Sequence, residues 1–330
     1  MIGPDEHVPT REQGTAAVAR IEAAVGEVLR GKPEQIRLAV ACLVAEGHLL
    51  IEDKPGTGKT SLAKAVAAAI GGSVRRVQFT PDLLPADVTG VTVFDARRNE
   101  FAYRQGPVFA NIVIADEINR ASPKTQAALL EVMEERQVTN DGVTHPLPHP
   151  FMVVATQNPL DFHGTYPLPE TQLDRFAVKL ALGYAPREAE LEVMTRPDVH
   201  QQIEQIQPAI GLGQFARLIE SARAVSVSEP IRHYVADIVE ASRSHRDLRL
   251  GISTRGTLQL LAVARAVALA NGRGFVAPDD VRLVAQPVLA HRIALTIEAE
   301  IDGVTSAAVV EQIVDEVPAP RSRTLNTKSA

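Results

Sequence analysis

The apolar residues Val18, Ile21, Val25 and Val28 recur at helical spacing, and Gly31 followed by Pro33 ends that helix and opens the next. Beyond Gly47 the pattern shortens. Apolar runs of strand length over residues 49–51, 74–79, 112–115, 151–155 and 176–182 alternate with helix-like stretches, which predicts a parallel sheet with crossover helices. Around Gly183 to Pro186 it changes again, to one helix after another over residues 187–194, 212–224, 230–244, 254–270 and 278–293. After Gly303 there is one more apolar stretch, then Pro318-Ala319-Pro320 and a polar, basic end expected to be disordered. The chain thus reads as a flexible tail over 1–13, an α/β part over 14–184, a helical part over 185–302 and a C-terminal tail over 303–330. No repeat of fixed period points to a solenoid or propeller.

Composition narrows the possible partners. The 330 residues are 45% hydrophobic, enough to bury a full core. Aromatic residues are 4% with no Trp, a poor supply for stacking single-stranded nucleic acid. A net charge of -6, with basic runs no longer than Arg75-Arg76 and Arg97-Arg98, argues against a nucleic-acid arm or a basic membrane surface. Cys42 is the only cysteine, which excludes an internal disulfide and fits a reducing cytoplasm. No apolar run reaches the roughly 18 residues of a membrane span, and Asp5 and Glu6 precede no apolar export signal. A cytoplasmic location is expected. His145 and His149 are four apart, but Pro146, Pro148 and Pro150 forbid a helix there, so no metal is expected on them.

The candidate chemistry begins at Lys54-Pro55-Gly56-Thr57-Gly58-Lys59-Thr60, between a predicted strand and an Ala-rich helix that starts at Ser61. Small residues there let backbone N–H groups turn toward phosphate oxygens, and the helix N-terminus adds its dipole. Residues Pro55 to Ser61 would bind nucleotide, with Lys59 on the β/γ-phosphates and Thr60 on Mg²⁺. The ordinary pattern has Gly at its first position, where this chain has Asp53. Gly56-Thr57-Gly58 lacks the third Gly of a dinucleotide fingerprint.

Turnover needs more than a phosphate loop. The run Ile112-Val113-Ile114-Ala115 ends in Asp116 and Glu117, which places two acids at the carboxyl edge of a parallel sheet. Asp116 would hold Mg²⁺ through water and Glu117 would activate the attacking water. Such acids also cap helices. The strand that starts at Phe151 ends in Gln157 and Asn158 before Pro159, where an amide can bond a phosphate or water, or simply form a turn. Arg175 lies between a helix and the last strand. It either points out of the subunit, to stabilise phosphoryl charge in a neighbour, or pairs internally with Asp174 or Glu170. Arg255, in the first turn of its helix, is a cation at the wrong end of the dipole. It answers either a bound anion or solvent.

Taken in order, these segments resemble the AAA+ ATPases. The stretches from Ala115 to Ala121, Lys124 to Glu131, Ala155 to Pro159 and Gly164 to Phe176 resemble the MoxR family specifically. The resemblance runs from about Val28 to Leu295. It implies an AAA+ P-loop core with a parallel sheet, followed by an all-α lid. It also implies Asn158 as first sensor, Arg175 as arginine finger, Arg255 as second sensor, and Gly31, within Val28 to Lys32, near the adenine. Thr254 stands where such proteins often have Pro. Two predicted hairpins, 89–94 with 100–104 and one turning at Asp141-Gly142, correspond to insertions that point toward a ring's pore or a partner, though either can be an ordinary surface hairpin. The resemblance further implies ATP and Mg²⁺, a ring, expected to be a hexamer, and chaperone-like work on a client with a partner bearing a von Willebrand factor A domain. Two alternatives stay open: a nucleic-acid-stimulated motor on the same core, and an ATP-bound assembly switch without productive turnover.

Overall fold

A computed structural model describes residues 10–158, 165–195 and 199–320. The chain opens with α1 (Arg11–Val28) and α2 (Pro33–Val44), then β1 (Leu49–Glu52), α3 (Lys59–Ala69), β2 (Val74–Gln78) and α4 (Pro85–Thr89). A hairpin of β3 (Gly90–Asp95) and β4 (Glu100–Gln105) leads to β5 (Ile112–Asp116), a short 3-10 turn (Ile118–Arg120) and α5 (Pro123–Glu135). A second hairpin, β6 (Gln137–Asn140) and β7 (Val143–Pro146), precedes β8 (Met152–Gln157), α6 (Glu170–Leu173) and β9 (Val178–Leu180). Then come α7 (Arg187–Met194), α8 (Val199–Gln205), α9 (Leu212–Arg223), α10 (Glu229–Ser244), β10 (Leu248–Leu250), α11 (Thr254–Ala270) and α12 (Pro278–Leu289). The described chain closes with β11 (Ala294–Leu295), α13 (Ile297–Ile301) and α14 (Ser306–Glu316).

Five strands form one parallel sheet in the order β2-β5-β8-β1-β9. Because side chains alternate between faces, each central strand feeds two layers. Leu49, Ile51, Ile112, Ile114, Met152 and Val154 join one apolar cluster, and Leu50, Val113, Ala115, Val153 and Ala155 join another. The second is closed by α4 and α5, through residues such as Val88, Leu129 and Met133. The first is larger. It runs without interruption from the sheet through α1, α2 and α3 into the helices after residue 211. The fold is therefore an α/β P-loop core carrying a helical domain, with α1 and α2 packed between the sheet and the later helices.

Three expectations are corrected. Helix α1 begins at Arg11, inside the stretch read as a tail, because Thr10 and Gln13 form a reciprocal capping box: each side chain bonds the other's backbone N–H. Residues 1–9 lie outside the described residues. The apolar stretch after Gly303 is helix α14, whose Val309, Val310, Ile313 and Val314 are buried against the helical domain. The last ten residues, 321–330, lie outside the described residues. A small antiparallel pair, β10 with β11, interrupts what reads as an all-helical part.

The two hairpins are joined to each other. Thr92 donates to the Asp141 carboxylate at 2.6 Å, and the Tyr103 ring stacks on His145 with centroids 4.3 Å apart. His149 instead lies 2.9 Å from Glu46, so the two histidines serve separate contacts. Asp141 and Gly142 both have positive φ, 50° and 78°, as a two-residue hairpin turn requires. At the end of the first hairpin Phe94 and Phe101 form an exposed edge-to-face pair.

Burial of α14 makes a prediction. Ile313→Ala should destabilise the protein by about 2–5 kcal/mol, read from urea unfolding, whereas a residue in a solvated tail would give no change.

Candidate functional site

All five strands of the sheet run in one direction, so their C-terminal ends share an edge, the edge where ligands bind in open α/β folds. The strand order puts β1 beside β8, and the loop leaving β1 opens next to the end of β8, with Glu52 paired in register with Gln157. That loop is the predicted phosphate loop. Gly56 and Gly58 take φ of 81° and 94°, conformations open to glycine, and α3 starts directly at Lys59. A Cβ on Gly58 would also meet Leu29 at 3.0 Å. The Lys59 ammonium donates to the main-chain carbonyls of Asp53 at 2.8 Å and Lys54 at 2.6 Å, closing the loop around itself. Burial lowers its pKa, against the opposing pull of Asp53, Asp116 and Glu117.

Asp116 is the last residue of β5 and is buried. One of its oxygens accepts from the Thr156 hydroxyl at 3.1 Å, and the other pairs with Arg76 of β2. Glu117 takes a left-handed φ of 55°, which turns it away from the strand, and its N–H donates to the same Thr156 hydroxyl at 3.0 Å. Its carboxylate accepts from Gln78 at 2.8 Å and from Arg120 at 3.0 Å. These groups meet around a cavity of about 360 Å³ lined by Pro55, Gly56, Thr57, Gly58, Lys59, Thr60, Ser61, Asp116, Glu117 and Asn158. Arg76, Gln78, Thr156 and Gln157 complete the lining. Thr60 and Asp116 thus face one space with oxygen donors, the ligand type of a hard cation such as Mg²⁺, which takes one or two protein oxygens and fills its shell with water and phosphate.

Three expected site residues lie elsewhere. Gly31 has a φ of 70° and sits against the start of α7, where a Cβ would meet Pro186 at 2.7 Å and Ala189 at 2.9 Å. Arg175 makes neither of its two foreseen internal pairs. It pairs with Glu134 of α5 at 3.1 Å, while Asp174 goes to Arg292 and Glu170 to Arg249. Arg255 pairs with the same Glu134 and lies 3.8 Å from Asp174. Both arginines line a separate cavity of about 190 Å³ with Glu46, His48, Arg136 and Gln259. The cation at the N-terminus of α11 is therefore answered by carboxylates, and that helix start is secured by Ser253, which accepts from Gly256 N–H at 3.0 Å. Of the family-like segments, Pro159 and Gly164 lie outside the described residues.

Sequence reasoning missed Arg76, Gln78 and Thr156. Arg76 and Gln78 are on a strand whose neighbour, β5, follows only after a long excursion, and the register that sets Gln78 opposite Asp116 is a tertiary fact. Thr156 had a signal, a lone hydroxyl near the end of an apolar strand. It bonds both acids' residues at once, and Thr156→Val, equal in shape, leaves the Glu117 N–H and an Asp116 oxygen without that partner. The expected cost is roughly 1–3 kcal/mol of stability, measured by chemical denaturation; an unchanged midpoint would contradict the role.

Comparison with known proteins agrees with this geometry. Residues 48–178 match the family described as ATPase family associated with various cellular activities (AAA), and residues 240–313 match the AAA lid domain. The uncharacterised YeaC protein of Bacillus subtilis is 46% identical over 299 residues, covering 91% of this chain and 93% of that protein. Chaperone MoxR1 of Mycobacterium tuberculosis is 40% identical over 330 residues, 96% of this chain and 87% of its own. Protein MoxR of Paracoccus denitrificans is 34% identical over 301 residues, 83% and 88% of the two chains. The crystal structure of a candidate ATPase from Cytophaga hutchinsonii superposes with a TM-score of 0.86 at 35% identity, covering 94% of this chain and 97% of that one. With a phosphate loop, two acids and a polar strand end around one cavity, a helical lid, and relatives of this name along nearly its whole length, the chain belongs to the MoxR family of AAA+ ATPases.

Proposed function

We propose that the protein hydrolyses ATP with Mg²⁺, that its copies assemble into a ring, a hexamer, and that turnover remodels or matures partner proteins in a chaperone-like manner. The observation that carries the hydrolytic reading is the convergence of Lys59, Thr60, Asp116, Glu117 and Asn158 on one cavity at the sheet's carboxyl edge. The backbone from Gly56 to Ser61 and the Lys59 ammonium hold the phosphates. Mg²⁺ held by Thr60, and by Asp116 through water, would neutralise charge on the phosphates. Arg76 pairs with the same carboxylate and would share it with the water of that ion. Glu117 accepts a proton from the attacking water at a carboxylate oxygen, and Asn158 orients that water. Gln78 and Arg120 both bond Oε2 of Glu117, which leaves Oε1 to take that proton.

The ring is supported by where the two arginines sit. Neither lines the phosphate cavity of its own chain, and both converge on Glu134, where they share one carboxylate. Arg175 as finger and Arg255 as second sensor then act from one surface. The Nε of Arg175 is buried and has no hydrogen-bond partner among the described residues. Work on proteins is supported by the Mycobacterium tuberculosis relative, which is named a chaperone. A client, and a partner with a von Willebrand factor A domain, follow from the family resemblance. The joined hairpins with the Phe94–Phe101 pair are the surface we assign to them. A cytoplasmic setting fits the single buried thiol, Cys42.

Glu117→Gln tests the reading. It should keep ATP binding within a few-fold of wild type, by fluorescent-nucleotide titration, and lower steady-state turnover by roughly 10²–10⁴. Turnover at the wild-type rate would overturn the assignment of the base.

A further inference from the structure

Asp53 stands where a phosphate loop ordinarily has glycine, and the structure shows that the reason is its side chain rather than its backbone. Its φ is not among the positive values of the described residues, so the position makes no demand that only glycine meets. The carboxylate is buried and does not line the phosphate cavity. One oxygen accepts from the N–H of Gly183 at 2.6 Å and the other from the N–H of Lys54 at 2.7 Å. Burial raises its pKa, but these backbone donors, with Thr57, hold it below the usual carboxylate range, so it stays charged.

Gly183 belongs to the connection from β9 to α7, the passage from the core into the helical domain. That connection is gripped from both sides. Its carbonyls at Leu182, Gly183 and Tyr184 all accept from the ammonium of Lys32, within 2.8 Å, and the Tyr184 ring lies 5.4 Å from the Lys54 ammonium. Lys32 itself is buried, just ahead of α2. Every polar group of the Gly183 peptide is therefore spoken for, its N–H by Asp53 and its carbonyl by Lys32.

At its other end the same residue holds Lys59, whose ammonium rests on the main-chain carbonyls of Asp53 and Lys54. The side chain meant for phosphate and the connection to the helical domain are thus both bound to one residue. A phosphate that draws Lys59 away leaves two carbonyls without their donor and lets the 53–54 peptides turn. Such a turn would carry the Asp53 carboxylate with it and weaken its bond to Gly183.

We propose that Asp53 is a positioning residue that couples phosphate binding at Lys59 to the 182–184 connection, as a latch that loosens when Lys59 turns from its carbonyls to phosphate. The proposal rests on the nucleotide-binding reading above. Coupling of this kind is reciprocal: what nucleotide does to the latch, loss of the latch does to nucleotide affinity.

Hydrogen–deuterium exchange of the peptide spanning residues 181–186 tests it, with and without a non-hydrolysable ATP analogue and Mg²⁺, in the full chain. Saturating analogue should speed exchange there roughly tenfold in wild type. Asp53→Gly, which restores the ordinary loop pattern, should exchange fast in both states, lose the response to analogue and bind the analogue tighter by roughly the same factor. Asp53→Asn, which keeps the shape and a neutral acceptor, should fall between, and it carries the comparison if the glycine variant does not fold. A wild type that binds analogue with no change at 181–186, or an Asp53→Gly that still responds, overturns the coupling. A wild type that binds no analogue overturns the nucleotide reading and the coupling with it.

Discussion

The relation between the two halves of the molecule depends on one buried cation. Arg292, in the turn after α12, has a fully buried guanidinium. It donates to the main-chain carbonyls of Asp174 at 2.7 Å, Phe176 and Val288, and pairs with the Asp174 carboxylate. An uncompensated buried charge costs several kcal/mol, so α12 and the 174–176 segment must keep this arrangement. Asp174 then takes the Ser253 hydroxyl at 3.1 Å, which fixes the start of α11 on the same carboxylate. From there Arg255 reaches Glu134 and so stands beside Arg175. The continuous apolar cluster through α1 and α2 reinforces this placement. A helical domain that swung freely would break both.

At the opposite edge the groups of the phosphate cavity are paired with one another and with the loop. Lys59 sits on loop carbonyls, Asp116 on Arg76, and Glu117 on Gln78 and Arg120. Each pairing occupies a group that the proposed chemistry assigns to a phosphate, an ion or a water. On the proposed chemistry the site works by exchange of partners, and the sheet behind it pairs Asp116 in register with Gln78.

What could be read beforehand was what is local in sequence. The phosphate loop, the strand ending in Asp116 and Glu117, and the strand ending in Asn158 are each contiguous, so the pattern of apolar runs and their polar ends located them. Helix α14 carried a legible signal too, since Val309, Val310, Ile313 and Val314 have helical spacing, but the prolines after it drew the stretch into a tail. Contacts made across the fold were invisible. Arg76 read as half of an Arg-Arg pair because nothing local announces that β2 lies against β5. Glu134 was not weighed as a partner for Arg175 because the two stand 41 positions apart, whereas Asp174 and Glu170 are near in sequence and turned out to serve other arginines. The role of Asp53 needed the structure for the same reason, as its partner Gly183 is 130 positions away.

The central claim is that each active site is completed by a neighbouring copy. It is tested by steady-state ATPase rate per subunit against protein concentration with Mg²⁺, for wild type, Glu117→Gln, Arg175→Ala and a mixture of the two variants. The account predicts a rate per subunit that rises with concentration, is lost in each variant alone and partly returns in the mixture, because a wild-type base in one copy then meets a wild-type arginine in the next. A rate independent of concentration, with Arg175→Ala as active as wild type, would contradict it and leave Arg175 as the structural partner of Glu134.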